Sequence, residues 1–134
     1  MDEKGKESYF IQWWDNGRIK TEAEYNNGFL DGYKINYYES GQIKSSCQYN
    51  NGKEDGLLKN FDENGLLRRK YEFSNGKFNG TSFHYSYLGK NSKLMKKYEY
   101  PYKDGLKHGV HKFYGRSSVW YEIEYKNNIK DGKM

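Results

Sequence analysis

Glycine-containing pairs recur along this chain at an almost constant spacing. Asp31-Gly32, Asp55-Gly56 and Asn79-Gly80 are 24 residues apart, and the column continues 29 residues later at His108-Gly109 and 23 residues after that at Asp131-Gly132. A fixed period of this length is typical of repeat proteins, in which single units bury too little surface to fold alone and are stabilised by their neighbours.

Two further columns keep the same phase. One column contains Asn-Gly pairs or their equivalents, at Asn27-Gly28, Asn51-Gly52, Asn75-Gly76, Asp104-Gly105 and Asn127-Asn128. The other column contains a single glycine in the middle of the repeat, at Gly17, Gly41, Gly65 and Gly89. Glycine and asparagine tolerate the positive φ that tight hairpin turns require, so we interpret all three columns as turns. The chain then divides into an N-terminal tail, residues 1–8, and one repeat domain, residues 9–132, with units at 9–32, 33–56, 57–80, 81–109 and 110–132.

Apolar and polar residues alternate between the columns. The apolar phase is clearest in the first two units: Tyr9, Ile11 and Trp13, then Tyr33, Ile35 and Tyr37, then Ile43, Ser45, Cys47 and Tyr49. A period of two indicates β-strands, two in each unit. The sequence therefore predicts an all-β fold, an elongated single twisted antiparallel β-meander of about ten strands in five hairpin repeats of about 24 residues, with one apolar and one polar face.

Two stretches show the repeat unit most clearly, Tyr49-Asn50-Asn51-Gly52-Lys53-Glu54-Asp55-Gly56 and Tyr37-Tyr38-Glu39-Ser40-Gly41-Gln42-Ile43-Lys44. Over essentially the whole chain, the units resemble MORN repeats. The two stretches are similar to the bacterial variant of this repeat, which is found in the YwqK-type antitoxin family. The resemblance implies an elongated antiparallel sheet, and a function as an antitoxin or immunity partner, a scaffold or a lipid-associated module. The chain departs from the pattern in its last two units, where Lys90 to Pro101 carries extra residues and Gly115-Arg116-Ser117 interrupts the mid-repeat turn.

Composition narrows the class of protein further. Aromatic residues make up 19% of the chain, which is unlike a disordered protein despite a mean hydropathy of -1.23. There is neither an apolar run of about 18 residues nor a signal-peptide pattern, and the single Cys47 fits a reducing compartment, so we expect a cytoplasmic protein without a transmembrane segment. The net charge of +5 favours an acidic partner.

The histidines do not form a recognisable catalytic set. His108 lies in a turn column, and His84 and His111 are predicted on the polar face at different depths of their strands. We therefore expect a protein that is not an enzyme and that holds no metal or cofactor. The alternatives are a shared zinc or acid/base site, or a hydrolase that acts through His84 or His111.

Two other candidate sites have simpler structural interpretations. Cys47 falls in the apolar phase, which favours a small buried side chain over a reactive thiol. The aspartates of the Asp-Gly column are isolated carboxylates beside glycines, which favours turn-stabilising side chains over calcium ligands.

Aromatic residues on the polar phase are the first candidates for a partner-binding surface, because exposed rings are common interface anchors. They are Phe10, Trp14, Tyr38, Phe113 and Trp120. The alternative is that the sheet curls and covers them.

A run of lysines in the fourth unit gives further candidates, namely Lys93, Lys96 and Lys97 after Lys90. This run is either a docking loop for an acidic surface or an ordinary solvated loop. Nucleic acid is not favoured as the partner, because the polar phase mixes both signs of charge. The strand from Ser118 to Tyr125 has a free edge that is open to a partner strand or guarded by Glu122 and Glu124.

These observations favour a non-catalytic protein–protein interaction module, an antitoxin or immunity-type inhibitor that binds and blocks a partner protein such as a toxin or another enzyme. A preformed sheet loses little conformational freedom when it docks, which suits steric inhibition. The alternative is a peripheral module that binds anionic lipid or acts as a scaffold.

Overall fold

The computed structural model describes residues 7–88, 93–114 and 119–130. These residues form the following strands: β1 (Glu7–Trp13), β2 (Ile19–Asn26), β3 (Phe29–Tyr37), β4 (Ile43–Asn50), β5 (Lys53–Phe61), β6 (Leu67–Ser74), β7 (Lys77–Phe78), β8 (Gly80–Leu88), β9 (Lys93–Lys103), β10 (Leu106–Lys107), β11 (Gly109–Tyr114), β12 (Val119–Lys126) and β13 (Ile129–Lys130). β7 and β8 are separated by Asn79 alone, and β10 and β11 by His108 alone, so each pair is one strand interrupted at a single residue.

All strands belong to one open antiparallel sheet in which each long strand pairs with the next one along the chain. The strand order is β1-β2-β3-β4-β5-β6-β8-β9-β11-β12-β13, with β7 against β6 and β10 against β9. The predicted all-β meander is confirmed. The described residues contain no helix that is long and apolar enough to cross a membrane.

The sheet includes two residues that lie before the predicted start of the repeat domain. Glu7 and Ser8, which we assigned to the tail, pair with Asn26 and Tyr25. Because β2 continues to Asn26, its backbone offers hydrogen-bonding groups along its whole length, and β1 extends to meet them.

Two of the three glycine columns form turns in the described residues, as predicted; Gly89 lies outside those residues. Asn27 and Gly28 have φ values of 53° and 85°, and positive φ at both positions defines a type I′ turn. At the other end of the first unit, the Gly17 N–H donates to the Trp14 carbonyl (2.9 Å) and the Trp14 N–H to the Arg18 carbonyl (2.7 Å). This is a three-residue loop closed by a glycine with a φ of 87°.

The column of Gly32, Gly56 and Gly80 does not form turns, so that part of the prediction was wrong. These glycines lie within β3 and β5 and at the start of β8. Gly56 has a φ of 122°, and a Cβ placed there would lie 2.8 Å from Oε1 of Gln48. The carboxylate of Glu24 covers Gly32 in the same way. Glycine is needed here because a side chain of the preceding strand lies across the backbone.

The residue before each of these glycines links neighbouring units. Its side-chain oxygen accepts a hydrogen bond from the first residue of the next unit's type I′ turn: Asp31 from Asn51 (3.1 Å), Asp55 from Asn75 (3.0 Å) and Asn79 from Asp104 (3.2 Å). The backbone adds a second link, for example from the Gly52 N–H to the Leu30 carbonyl (2.7 Å). The acidic column therefore stabilises turns, but those of the following unit.

Strand register divides the side chains between two faces, because residues directly opposite each other in an antiparallel pair point the same way. We name the faces after Ile35 and Cys47. The row through Ile35 on the Ile35 face contains Ile11, Glu22, Ile35, Ser46, Lys59, Lys70, Phe83, Glu99, Lys112 and Glu122. The row through Cys47 on the Cys47 face contains Phe10, Ala23, Lys34, Cys47, Leu58 and Tyr71.

The prediction of one apolar and one polar face was wrong. Apolar residues of the first strand of a unit, such as Tyr33 and Ile35, lie on the Ile35 face, whereas those of the second strand, such as Tyr49, lie on the Cys47 face. The cause is a one-residue β-bulge beside the mid-repeat loop, between Asn36 and Tyr37, which shifts the register so that Ile35 lies opposite Ser46 and not Ser45. Each face therefore receives apolar side chains.

The buried side chains of the described residues all lie on the Cys47 face. They are Thr21, Ala23, Cys47, Ser82 and His111. Cys47 is 6% exposed, which confirms the prediction of a small buried side chain, and burial raises the pKa of its thiol. Because the described strands form a single layer, the side chains of this face cover one another.

The insertion in the fourth unit lengthens a hairpin, so the predicted docking loop was wrong for the lysines that follow residue 92. Lys93 is the first residue of β9, which is 11 residues long. Lys96 and Lys97 pair with Ser86 and Tyr85 of β8. The extra residues find backbone hydrogen-bonding partners by extending both strands.

The last long strand also has more pairing than we predicted. β13 pairs with Tyr125 and Lys126 at the C-terminal end of β12. The guarding residues Glu122 and Glu124 lie opposite Lys112 and Val110 on the Ile35 face.

Candidate partner-binding surfaces

Large apolar side chains are exposed on the Ile35 face of the first three units. Tyr9 and Trp13 are 64% and 58% exposed, and Tyr33 is 53% exposed. The set, which we call the Ile35-face patch, consists of Tyr9, Ile11, Trp13, Phe29, Tyr33, Ile43 and Leu57. Apolar groups exposed together are typical of surfaces that bind another macromolecule.

The patch is not predicted from the sequence, because Tyr9, Ile11, Trp13 and Tyr33 fall in the apolar phase, which we expected to be buried. The register puts Tyr9 and Ile11 opposite the acidic Glu24 and Glu22 instead. The deciding feature is the one-residue β-bulge between Gln12 and Trp13, which shifts the register and so decides which residues of the two strands share a face. Period-two alternation carries no signal for such a bulge.

Acidic groups lie among these rings. A recess of about 170 Å³ is lined by Tyr9, Glu22, Glu24, Tyr33 and Ile35. The Tyr37 hydroxyl donates to Oε2 of Glu22. Burial, together with this hydrogen bond, raises the pKa of Tyr37 to about 12, so the phenol remains a neutral donor. The patch therefore suits a partner surface that is apolar with basic residues beside it.

Three of the predicted partner-binding rings lie in the first two units. Phe10 is 44% exposed on the Cys47 face, opposite Ala23. Trp14 and Tyr38 are half-buried and bind the next unit: Trp14 Nε1–H donates to the Tyr37 carbonyl (3.3 Å), and the Tyr38 hydroxyl to the Phe61 carbonyl (2.7 Å). Trp14 and Tyr38 thus link units, and their role in partner binding stays a prediction.

The other candidates lie at the far end of the sheet. Phe113 is half-buried on the Cys47 face, with its ring centroid 5.3 Å from that of Tyr98. Lys97 lies on the Ile35 face, where it forms an ion pair with Glu99 (3.2 Å). The side chains of Trp120, Lys93 and Lys96 lie outside the described part of the chain. The structure therefore does not bring the predicted residues together in one site.

Two histidines belong to a layer of rings on the Cys47 face, so their predicted placement on a polar face was wrong. The ring centroids of His84 and His111 lie 5.1 and 5.5 Å from that of Tyr100. His111 is 2% exposed and its Nε2 contacts the Pro101 carbonyl (3.1 Å), while His84 Nε2 hydrogen-bonds the Tyr71 hydroxyl (3.1 Å). Burial lowers the pKa of both imidazoles.

A groove of about 570 Å³ crosses the Cys47 face beside this layer. One residue from each of five adjacent strands lines it, in the row Ser45, Asn60, Arg69, His84 and Tyr98. Lys44, Arg68 and Tyr38 line its side nearest the mid-repeat loops. We call this feature the Arg69 groove.

Comparison of the chain with protein-family models, with curated proteins and with solved structures finds no match.

Proposed function

We propose that this chain is a non-catalytic protein-binding module, an inhibitor of the antitoxin or immunity type, that blocks a partner protein by docking the Ile35-face patch against it. The repeat's resemblance to the bacterial MORN variant supports the class of function. The observation that carries the proposal is the exposure of Tyr9, Trp13 and Tyr33 together on one face of the sheet.

The patch has the properties of a binding surface. Tyrosine and tryptophan supply large contact areas with few rotatable bonds, and they are enriched among residues that dominate binding energy. The sheet beneath them is fixed by backbone pairing on both sides of β3. Little conformational entropy is therefore lost on docking, and a partner's active surface is blocked sterically.

Coexpression with the product of the neighbouring gene, followed by pull-down, tests the proposal. A Trp13→Ser, Tyr33→Ser double variant should weaken the complex by about tenfold or more, because anchor rings typically contribute about 2 kcal/mol. Phe10→Ser is the matched control, since Phe10 is an exposed ring of the same strand on the opposite face. Circular dichroism confirms that each variant keeps its sheet.

Two results would count against the proposal. One is the absence of a stable complex with any genomic neighbour, and the other is equal loss of binding in the Phe10→Ser control. The lipid-binding alternative predicts instead that the wild-type chain sediments with anionic vesicles, less so as salt is raised, and that the Ile35-face variant sediments equally well.

A further inference from the structure

We propose that the Arg69 groove binds an extended acidic segment of a protein partner, with the segment's carboxylates at Arg69 and Lys44. This second site lies on the face opposite the Ile35-face patch. It rests on the proposed function only in that both sites take a protein partner.

The groove carries cations whose charge is incompletely matched. Among its lining residues, the described structure contains a single carboxylate, Asp62. That carboxylate already accepts the backbone N–H of Asn64 (2.9 Å) and Leu66 (3.0 Å) and the Nε–H of Arg68 (3.0 Å). In the described part of the chain, no carboxylate lies within salt-bridge distance of Arg69 or Lys44. An anionic ligand therefore meets two cations that have no competing ion pair.

Carboxylates are also unevenly divided between the two faces of the sheet. Among paired strand positions in the described residues, Glu54 is the one carboxylate on the Cys47 face, opposite Tyr49. The Ile35 face holds Glu7, Glu22, Glu24, Glu72, Glu99, Glu122 and Glu124. An acidic segment therefore meets several carboxylates on the Ile35 face, although Lys59, Lys70 and Lys112 also lie there, and meets little repulsion on the Cys47 face.

The groove is shaped for a polypeptide. Its row of five residues crosses five strands spaced about 4.8 Å apart, so it spans about 19 Å, the length of about six residues of extended chain. Arg69 offers a planar fork that suits a carboxylate, and the side chains of Ser45 and Asn60 can bond the amides of a peptide. Membrane association through basic residues generally uses a cluster of about four to eight lysines or arginines, more than this groove provides.

Fluorescence anisotropy with a labelled oligoglutamate peptide, long enough to cross the groove, tests the inference. The peptide should bind the wild-type chain more weakly as salt is raised, and a peptide of equal length made of glutamine should not bind. Arg69→Gln should weaken binding about tenfold, as expected for loss of one charge-assisted contact. Lys59→Gln is the matched control, because Lys59 neighbours Asn60 in β5 but lies on the Ile35 face. This control should leave binding unchanged.

Equal binding to wild type and Arg69→Gln, equal binding of the glutamine peptide, or no binding at low salt would each overturn the inference. Sedimentation with anionic vesicles that is lost in Arg69→Gln, without peptide binding, would overturn it in favour of a lipid surface. Failure here is distinguishable from failure of the proposed function, because the pull-down variants Trp13→Ser and Tyr33→Ser alter the other face.

Discussion

The part of the sheet before Tyr71 and the part from Tyr71 onward cover the same Cys47 face with different chemistry. In the first part, the row through Cys47 contains one ring, Phe10, beside small and aliphatic side chains and Lys34. A hydrogen-bonded line runs from Thr21 through Asn36 to Ser45 (2.9 and 3.0 Å). The ring–ring contacts of the described residues all lie between residues 71 and 125. Ring–ring packing therefore begins at Tyr71.

The Ile35 face shows the opposite contrast. In the first part its rings are exposed, as at Tyr9 and Trp13. In the second part Phe83 is half-buried, with the ammonium groups of Lys70 and Lys97 5.0 and 5.3 Å from its ring centroid. Rings therefore support the sheet in the second part and are available to a partner in the first.

Removal of a central ring should give the largest effect and test this contrast. Tyr100→Ala should lower the free energy of unfolding by about 3 kcal/mol, because the ring touches Tyr98, His84, His111 and Phe113. Leu58→Ala, in the first part of the same face, should cost about 2 kcal/mol. Urea denaturation measures both, and equal losses would mean that the ring layer is not the more strongly packed part.

Substitution of a glycine that is covered by a side chain of the preceding strand should cost a similar amount of stability in both parts of the sheet. Gly56→Ala and Gly80→Ala, which lie on either side of Tyr71, should each cost about 2 kcal/mol because both combine positive φ with a close side chain. Gly17→Ala is the control, since its φ is also positive but nothing lies within 4 Å; it should cost about 1 kcal/mol. If all three losses were equal, close approach would contribute nothing.

Acid should weaken the second part selectively. Burial lowers the pKa of His84 and His111 below 6.5, the ordinary value, and the nearby cations Arg69 and Lys107 act in the same direction. The unfolded chain therefore binds protons at higher pH than the folded chain does. Stability is complete above pH 6.5 and falls as the pH drops through the folded pKa values. Hydrogen exchange should accelerate in β8 to β12 and not in β2 to β5.

The double variant His84→Gln, His111→Gln supplies the control for this pH dependence. It should be less stable at every pH, but its stability should change less between pH 7 and pH 5 than that of the wild-type chain. An unchanged pH slope would assign the acid sensitivity to carboxylates elsewhere in the sheet.

Much of the fold could be predicted from the sequence, because turn residues and period-two alternation are local signals. The Asn27-Gly28 turn and the burial of Cys47 are examples. The faces could not be predicted, because they depend on register, and a one-residue β-bulge beside the mid-repeat loop moves the side chains of a whole strand to the other face. For this reason the exposure of Tyr9 and Trp13 was not predicted, and His111 was predicted on the wrong face. Spacing alone also could not separate the glycines of turns from those beneath crossing side chains.

The aspartate that links one unit to the next should contribute a smaller, local amount. Asp55→Ala should lower the free energy of unfolding by about 1 kcal/mol, because the Asn75 N–H loses its acceptor (3.0 Å) at an exposed position. Glu63→Ala, at an exposed position of a mid-repeat loop, should change it by less than about 0.5 kcal/mol. A loss equal to that of Glu63→Ala would show that the backbone links alone hold the units together.

The smallest expected effect is a gain of stability at His108. This residue takes the place held by Asp31, Asp55 and Asn79, yet its Nδ1 is buried without a hydrogen-bond partner. His108→Asn places a shorter amide there, which can accept from the following type I′ turn as Asn79 does. We expect a gain of about 0.5 kcal/mol, at the lower end for one neutral hydrogen bond, measured by urea denaturation. His108→Ala removes the buried nitrogen without adding an acceptor. If His108→Ala stabilised the chain as much as His108→Asn, the gain in stability would come from removing the unpaired nitrogen and not from a new hydrogen bond.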